Sequence, residues 1–353
     1  MKRHLILIAI VLFAMALTVV LATPIVADTV PPLLVEYPVP GSPHYVVVES
    51  PGHVWFTLPS QNMIGRLIVT STTEYQVITY TVPTGGSQPY DLVYADGVIW
   101  FTEYLGNKIG RLDPATGTTN EFTITTSGSH PTGIDVVPGS PTQVWFTEQN
   151  GNKLGQLVVT STMDYTFAEY LLSPTSYPNA QLQDIYVQNS DSIWFTAPGV
   201  NSIGNFLPSA WNPTNAFALQ DMGGGSQPWA IKVDADGYPW FTEHIGNRIG
   251  HFFPTTLQTT DWYTLPFANS VPYDLAIAQG LIWFTERDGN RIGQLQPETG
   301  IMREFGLAAG STPSGLAVDG TGCAWVAENG SRKIASWCPP YFRFVYLPLI
   351  LRN

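Results

Sequence analysis

Tyr90, Trp229 and Tyr273 each follow a proline that opens a strand-like segment, and His44 holds the same place after Pro43. Read along the chain, that position is His44, Tyr90, Thr132, Gln183, Trp229, Tyr273 and Ser314, with Leu182 replacing the proline in the fourth case. Aromatic rings there offer flat apolar platforms for a small ligand, although channel packing would use them equally well. An imidazole offers a base near neutral pH. A second series stands three residues after seven tryptophans: Leu58, Glu103, Glu148, Ala197, Glu243, Glu286 and Glu328. Carboxylates suit Mg²⁺ or Ca²⁺ when two or more converge, so Glu243, Glu286, Glu328 and Glu103 are candidate metal ligands. The same repetition also fits a building role, in which each glutamate accepts hydrogen bonds from the turn that follows. His244 directly follows Glu243, which allows an acid–base or metal pair, so His44 and His244 are the candidate catalytic histidines. No GxSxG, Walker or HExxH phrase is present, and no nucleophile stands out.

Both series recur because the chain repeats one phrase seven times. Its tryptophans are Trp55, Trp100, Trp145, Trp194, Trp240, Trp283 and Trp325, spaced by 45, 45, 49, 46, 43 and 42 residues. Six copies read Trp-Phe-Thr, and the last reads Trp325-Val326-Ala327. An Asn seven residues later and a Gly ten residues later recur in the first six copies; Arg332 and Ala335 replace them in the seventh. A period of this size, built from β-branched and aromatic segments between Asp/Gly and Gly-Asn turns, predicts a β-propeller. Each copy divides into four strands. The expected fold is therefore all-β: one seven-bladed propeller of four-stranded antiparallel blades over 33–340, preceded by a signal segment. The ring-facing residue after the proline and the residue after Trp-Phe-Thr should reach the same face of the disc.

The ends carry their own signals. A basic start, an apolar run from Leu5 to Ala22 and small residues after it describe a signal peptide over 1–27, cut after Ala22 or Ala27 or else kept as an anchor. After cleavage no membrane span remains. The segment Leu33-Leu34-Val35-Glu36-Tyr37 resembles a fourth strand and is expected to close the last blade. The hydrophobic tail 341–353 is its rival as the closing strand. If paired positions of the second-to-third-strand hairpin sum to eleven counted from the tryptophan, Cys323 at −2 and Cys338 at +13 face each other. An exported protein would join them as a disulfide; the other possibility is two unrelated thiols.

Composition excludes other classes. Lys plus Arg is 15 against 27 Asp plus Glu, a net charge of −12, the wrong sign for a nucleic-acid footprint. The 11 Trp, 16 Tyr and 17 Phe are too many for a disordered chain. The 32 Gly and 29 Pro suit a chain that turns often.

The phrase Trp-Phe-Thr-Glu-x-x-Gly-Asn-Lys-Ile-Gly-Arg from Trp100 to Arg111 resembles the repeat of the virginiamycin B lyase or streptogramin lyase-like propellers. The resemblance covers all seven copies, from about Pro43 to Ser336. It implies a Mg²⁺-dependent carbon–oxygen lyase that opens cyclic streptogramin B antibiotics by elimination, with a Pro-His imidazole as base and nearby glutamates on the metal. Here the corresponding phrases are Pro228-Trp229, Pro272-Tyr273 and Pro313-Ser314, preceded by Gln227, Val271 and Thr312, so the histidine and its leading glutamate are both replaced. The one Pro-His left is Pro43-His44, which could work with Glu328 or Glu103 as a rotated site. The leading expectation is thus a monomeric binding module, secreted or on a bacterial cell surface. It would take a small-molecule or extracellular ligand on its channel face. The alternatives are a Mg²⁺-dependent lyase on a cyclic ester and a lactonase-type hydrolase, with Mg²⁺ or Ca²⁺ as cofactor. The C-terminal Val345–Arg352 phrase resembles a terminal phrase of exported bacterial proteins.

Overall fold

The computed structural model describes residues 33–338, apart from 138, 140, 162–163, 174–175, 212–216, 218 and 255–258. Each repeat forms one four-stranded antiparallel sheet. Neighbouring first strands touch all round the axis and return from the seventh sheet to the first. The chain is therefore a seven-bladed β-propeller, with no α-helix among the described residues. Among the described residues no helix is long and apolar enough to cross a membrane. The expected signal peptide and hydrophobic tail lie outside the described residues.

Leu33–Pro38 supplies the fourth strand of blade seven. It pairs antiparallel with Lys333–Cys338, placing Leu33 opposite Cys338 and Glu36 opposite Ala335. The N-terminal strand thus closes the ring, while its rival from Tyr341 onward lies outside the described residues. Cys323 and Cys338 form a disulfide with Cα atoms 4.1 Å apart. They continue the register in which Ala324 faces Trp337.

The repeat phrase is explained by packing across the second-to-third-strand hairpin. Phe101 stands opposite Gly110, and its ring fills the space where a Cβ on Gly110 would project. Blade seven pairs Val326 with Ala335; the smaller valine leaves room for the extra methyl. The tryptophans beside these rings are buried between blades, so the spacing read from the sequence is the spacing of the core.

The threonine of Trp-Phe-Thr joins one blade to the next. In blade two, Thr102 Oγ1 accepts the Asp91 N–H at 3.1 Å and donates to the Thr132 carbonyl of blade three at 2.8 Å. Thr57 donates in the same way to the Tyr90 carbonyl at 2.9 Å, Thr196 to Trp229 at 2.7 Å, Thr242 to Tyr273 at 3.1 Å and Thr285 to Ser314 at 2.8 Å. Ala327 has no hydroxyl to offer, and Ser314 Oγ instead donates to the His44 carbonyl at 2.7 Å. These carbonyls are free to accept because the first-strand register shifts just after the opening proline, between Pro272 and Leu275 for example. A bulge there unpairs the ladder and re-aims the side chain it carries.

Two predictions follow from these joints. Thr242→Val leaves the buried Ala230 N–H and Tyr273 carbonyl without their partner. It is expected to lower the unfolding free energy by about 2–4 kcal/mol in urea titration. Cys323→Ser opens a closed loop with a sequence separation of 15, and should cost about 3 kcal/mol in the same assay.

Candidate functional site

The first strands run away from one face, and the second strands return to it. Two loops per blade meet there, and the repeated asparagine pins them together. Asn247 takes the left-handed backbone at φ 52°. Its Nδ2 donates to the Phe267 carbonyl at 2.8 Å, and its Oδ1 accepts the Ser270 N–H at 2.8 Å. Ser270 in turn accepts the N–H groups of Asp288 and Gly289 in the next blade. Residues just before the opening prolines are also left-handed, including the β-branched Val271 at φ 53°, a strained choice. The Val271 carbonyl accepts the Arg287 N–H at 3.1 Å, and Gln227 accepts that of His244 at 3.1 Å. In blades two, three, five and six the position four after the tryptophan is held in this way beside the platform.

The three aromatic candidates do come together, and both candidate histidines join them. His44 Nε2 lies 3.0 Å from the Tyr273 hydroxyl, and its ring centre is 4.5 Å from that of Tyr90. On the other side, His244 stacks on Trp229 at 4.1 Å and on Tyr273 at 5.2 Å. Gln183 Nε2 donates to the Tyr90 hydroxyl at 2.9 Å, and the Arg287 guanidinium lies 5.5 Å from the Tyr273 ring centre. Tyr273 is therefore the hub of a slab made by five blades. Beside it a cavity of about 470 Å³ opens, lined by His44, Tyr273, Arg287, Thr312, Ser314 and Asn329 among others.

Three nitrogens of the slab are buried without a well-aligned hydrogen bond among the described residues: His44 Nδ1, Trp229 Nε1 and His244 Nε2; the Tyr90 backbone stands beside His44 and the Tyr273 hydroxyl beside Trp229. Burial lowers the His44 pKa to about 4 and that of His244 to about 3, so both rings are neutral at pH 7. A neutral imidazole and an indole N–H present directed donors and acceptors to anything laid on the slab. Exposed Ile245 and Phe267 stand on loops of the same face.

The glutamates behave differently. Glu103, Glu148, Glu243, Glu286 and Glu328 are fully buried, each beneath the turn of its own blade. A Cβ on Gly106 or Gly151 would come within 2.6 Å of the Glu103 or Glu148 carboxylate. A basic residue lies opposite each, and in four blades a fourth-strand acid joins them. Lys108 bonds Glu121 at 2.6 Å, Lys153 bonds Glu169 at 2.5 Å, and Arg291 lies 3.6 Å from Glu286 and 3.9 Å from Glu304. Lys333 pairs with Glu36 and Arg248 with Glu243, while Ser331 Oγ donates to Glu328 at 2.5 Å. Blades one and four, which lack the glutamate, lack the whole set: Leu58 faces Met63, and Ala197 faces Ser202. The acids thus serve their own blades and do not gather. His44 meets tyrosines rather than Glu328 or Glu103. Among the described residues no three His, Cys, Asp or Glu side chains are grouped to hold a metal ion. The donors at this face do not fit a divalent cation.

Arg287, Asn329, Tyr104 and Gln149 were not singled out from the sequence. Tyr104 stacks on Tyr90 at 5.7 Å and bonds Gln149 at 3.1 Å. Their signal was available: the position after the glutamate series varies from blade to blade just as the ring-facing series does.

The model of the Virginiamycin B lyase family matches residues 17–281. A virginiamycin B lyase from Staphylococcus aureus is 29% identical, with a TM-score of 0.75 over 87% of this chain and 99% of that one. A catalytically inactive variant of the S. aureus enzyme, solved with quinupristin, is 28% identical, with a TM-score of 0.75 over the same 87% and 99%. The extracellular domain of a putative hybrid two-component system from B. thetaiotaomicron shares the fold at 14% identity, with a TM-score of 0.67 over 88% of this chain and 43% of that one. No curated protein matches the chain.

The buried glutamates generate a pH prediction. Burial pushes the Glu103 and Glu148 pKa values from 4.5 up to about 8. A raised carboxylate pKa means the folded chain holds the proton more tightly. The stability this contributes is complete below pH 4.5 and is lost as pH rises toward about 8. Unfolding free energy is expected to fall across that window. Glu103→Gln, which removes one such proton, should flatten the fall in denaturation curves recorded from pH 5 to 9.

Proposed function

Taking as premise that the chain belongs to the virginiamycin B lyase family, we propose that it is an exported binding module, with Trp229, Tyr273 and Ser314 where the family's Pro-His phrases stand. The observation that carries this reading is the aromatic slab around Tyr273, with His244 Nε2 buried beside it and lacking a hydrogen-bond partner among the described residues. Its ligand has a flat or apolar body that lies on Trp229, Tyr273 and Tyr90, and carbonyl oxygens that meet the indole N–H. A cyclic depsipeptide has both features, and an inactive relative is solved with quinupristin.

His44 is a poor base in this setting. It is neutral and held by the Tyr273 hydroxyl, but no carboxylate grips its other nitrogen to stabilise an imidazolium.

The test is incubation of the purified protein with quinupristin and Mg²⁺, followed by chromatography with mass detection and by tryptophan fluorescence. A saturable fluorescence change with intact antibiotic is expected, and Trp229→Ala should weaken binding by about tenfold or more. Ring-opened product of unchanged mass, lost in His44→Ala, would restore the lyase reading. Product heavier by one water would restore the hydrolase reading.

A further inference from the structure

The cavity beside the slab carries a charge as well as aromatic walls. Arg287 is the single cation among its lining residues, which include His44, Tyr273, Thr312, Ser314 and Asn329. The Arg287 backbone N–H is fixed to the Val271 carbonyl at 3.1 Å, so its side chain leaves a pinned turn. The guanidinium carbon lies 5.5 Å from the Tyr273 ring centre. Charge and hub ring therefore bound the same space.

The basic residues that follow the turns of this face are engaged by acids. Lys108 and Lys153 bond Glu121 and Glu169, Arg248 and Lys333 pair with Glu243 and Glu36, and Arg291 lies between Glu286 and Glu304. Arg287 differs. Its Nε stands 3.7 Å from Asp288 Oδ1, longer than a hydrogen bond. The two side chains of that pair are 48% and 56% exposed, and an ion pair of this kind contributes little. The planar fork of donors is left for a partner in the cavity.

The field of this guanidinium reaches across the slab. Burial is the main cause of the low pKa of His44 and His244, and the Arg287 charge adds to it in both. Burial raises the Tyr273 hydroxyl, and Arg287 opposes that rise. A negative group entering the cavity thus meets one directed cation beside neutral rings. A carboxylate matches the fork with two oxygens in one plane, and an attached ring finds its contact on Tyr273. The neutral donors nearby already have acceptors: Asn329 Nδ2 bonds the Pro43 carbonyl at 3.1 Å and Ser314 Oγ that of His44 at 2.7 Å. Recognition of charge falls to Arg287.

We propose that the ligand of this face is an organic acid, its carboxylate seated on Arg287 and its flat apolar body against Tyr273. The inference rests on the slab reading above and narrows it to an anionic class. The probes are naphthylacetate and its uncharged amide, naphthylacetamide, titrated by calorimetry into the full chain at neutral pH and low salt. The acid is expected to bind saturably and about tenfold tighter than the amide. Arg287→Gln should bring the ratio of the two affinities close to one, and Arg287→Lys should restore part of it. Asp288→Asn should widen the ratio a few-fold, because it removes the competing carboxylate. Both positions are exposed, so these variants keep the fold. Equal affinity for acid and amide overturns the inference, as does a preference that survives in Arg287→Gln; either result leaves the slab reading standing, since both probes still bind. Binding of neither probe also overturns it, while the quinupristin titration decides the slab reading separately.

Discussion

Every blade must be joined to the next without a continuous sheet, and the buried threonine hydroxyl makes that joint. It accepts from the first strand of its own blade and donates to the first strand of its neighbour. Its acceptor is always the carbonyl of the ring-facing residue. In five of the seven blades that residue sits in a bulge, where its own ladder leaves the carbonyl unpaired. Scaffold and site are therefore coupled through the main chain, and the side chain at that position is left free to vary. Tyr90, Trp229 and Tyr273 can differ because their carbonyls carry the joint, whereas Ser314 also lends its hydroxyl to the next blade.

Blade seven shows how strongly the constraint acts. It loses the threonine, the phenylalanine and the glycine, and each loss is matched. Ser314 donates to His44 in place of the missing hydroxyl. Val326 and Ala335 exchange volume across the hairpin. A disulfide and the N-terminal strand then hold the edge at which the two ends of the chain meet. A covalent staple is most useful there, where the closing strand is furthest in sequence from its partners.

The acidic surplus divides into two systems with different consequences. The glutamates of the outer turns share lysines and arginines blade by blade, and those cations answer part of their charge. The channel aspartates Asp91, Asp135, Asp184 and Asp274 have a single lysine, Lys232, beside Asp184, and their oxygens accept backbone amides of their own and the next blade. Burial raises the pKa of Asp91 and Asp274 and so favours their uncharged form. The same residue class thus builds blades at the periphery and ties first strands together along the axis.

Much of this was legible in the sequence. Seven phased tryptophans gave the fold, because packing between blades requires one bulky ring per repeat. The pairing of Cys323 with Cys338 followed from hairpin register alone. The gathering of Tyr90, Trp229 and Tyr273 followed from a shared place after proline. Other features depended on distances the repeat does not encode. The five glutamates share a position just as the aromatics do, yet they turn under their own loops, because a glycine leaves room there and a cation stands opposite. Lys232 lies up to 141 residues from the four aspartates around it, and only the closed ring brings them together. The sequence by itself determined which positions repeat, and therefore the strands, blades and closure. The tertiary structure decided which repeated side chains face the axis and which face their own blade, since that choice is set by packing between neighbours rather than by spacing along the chain.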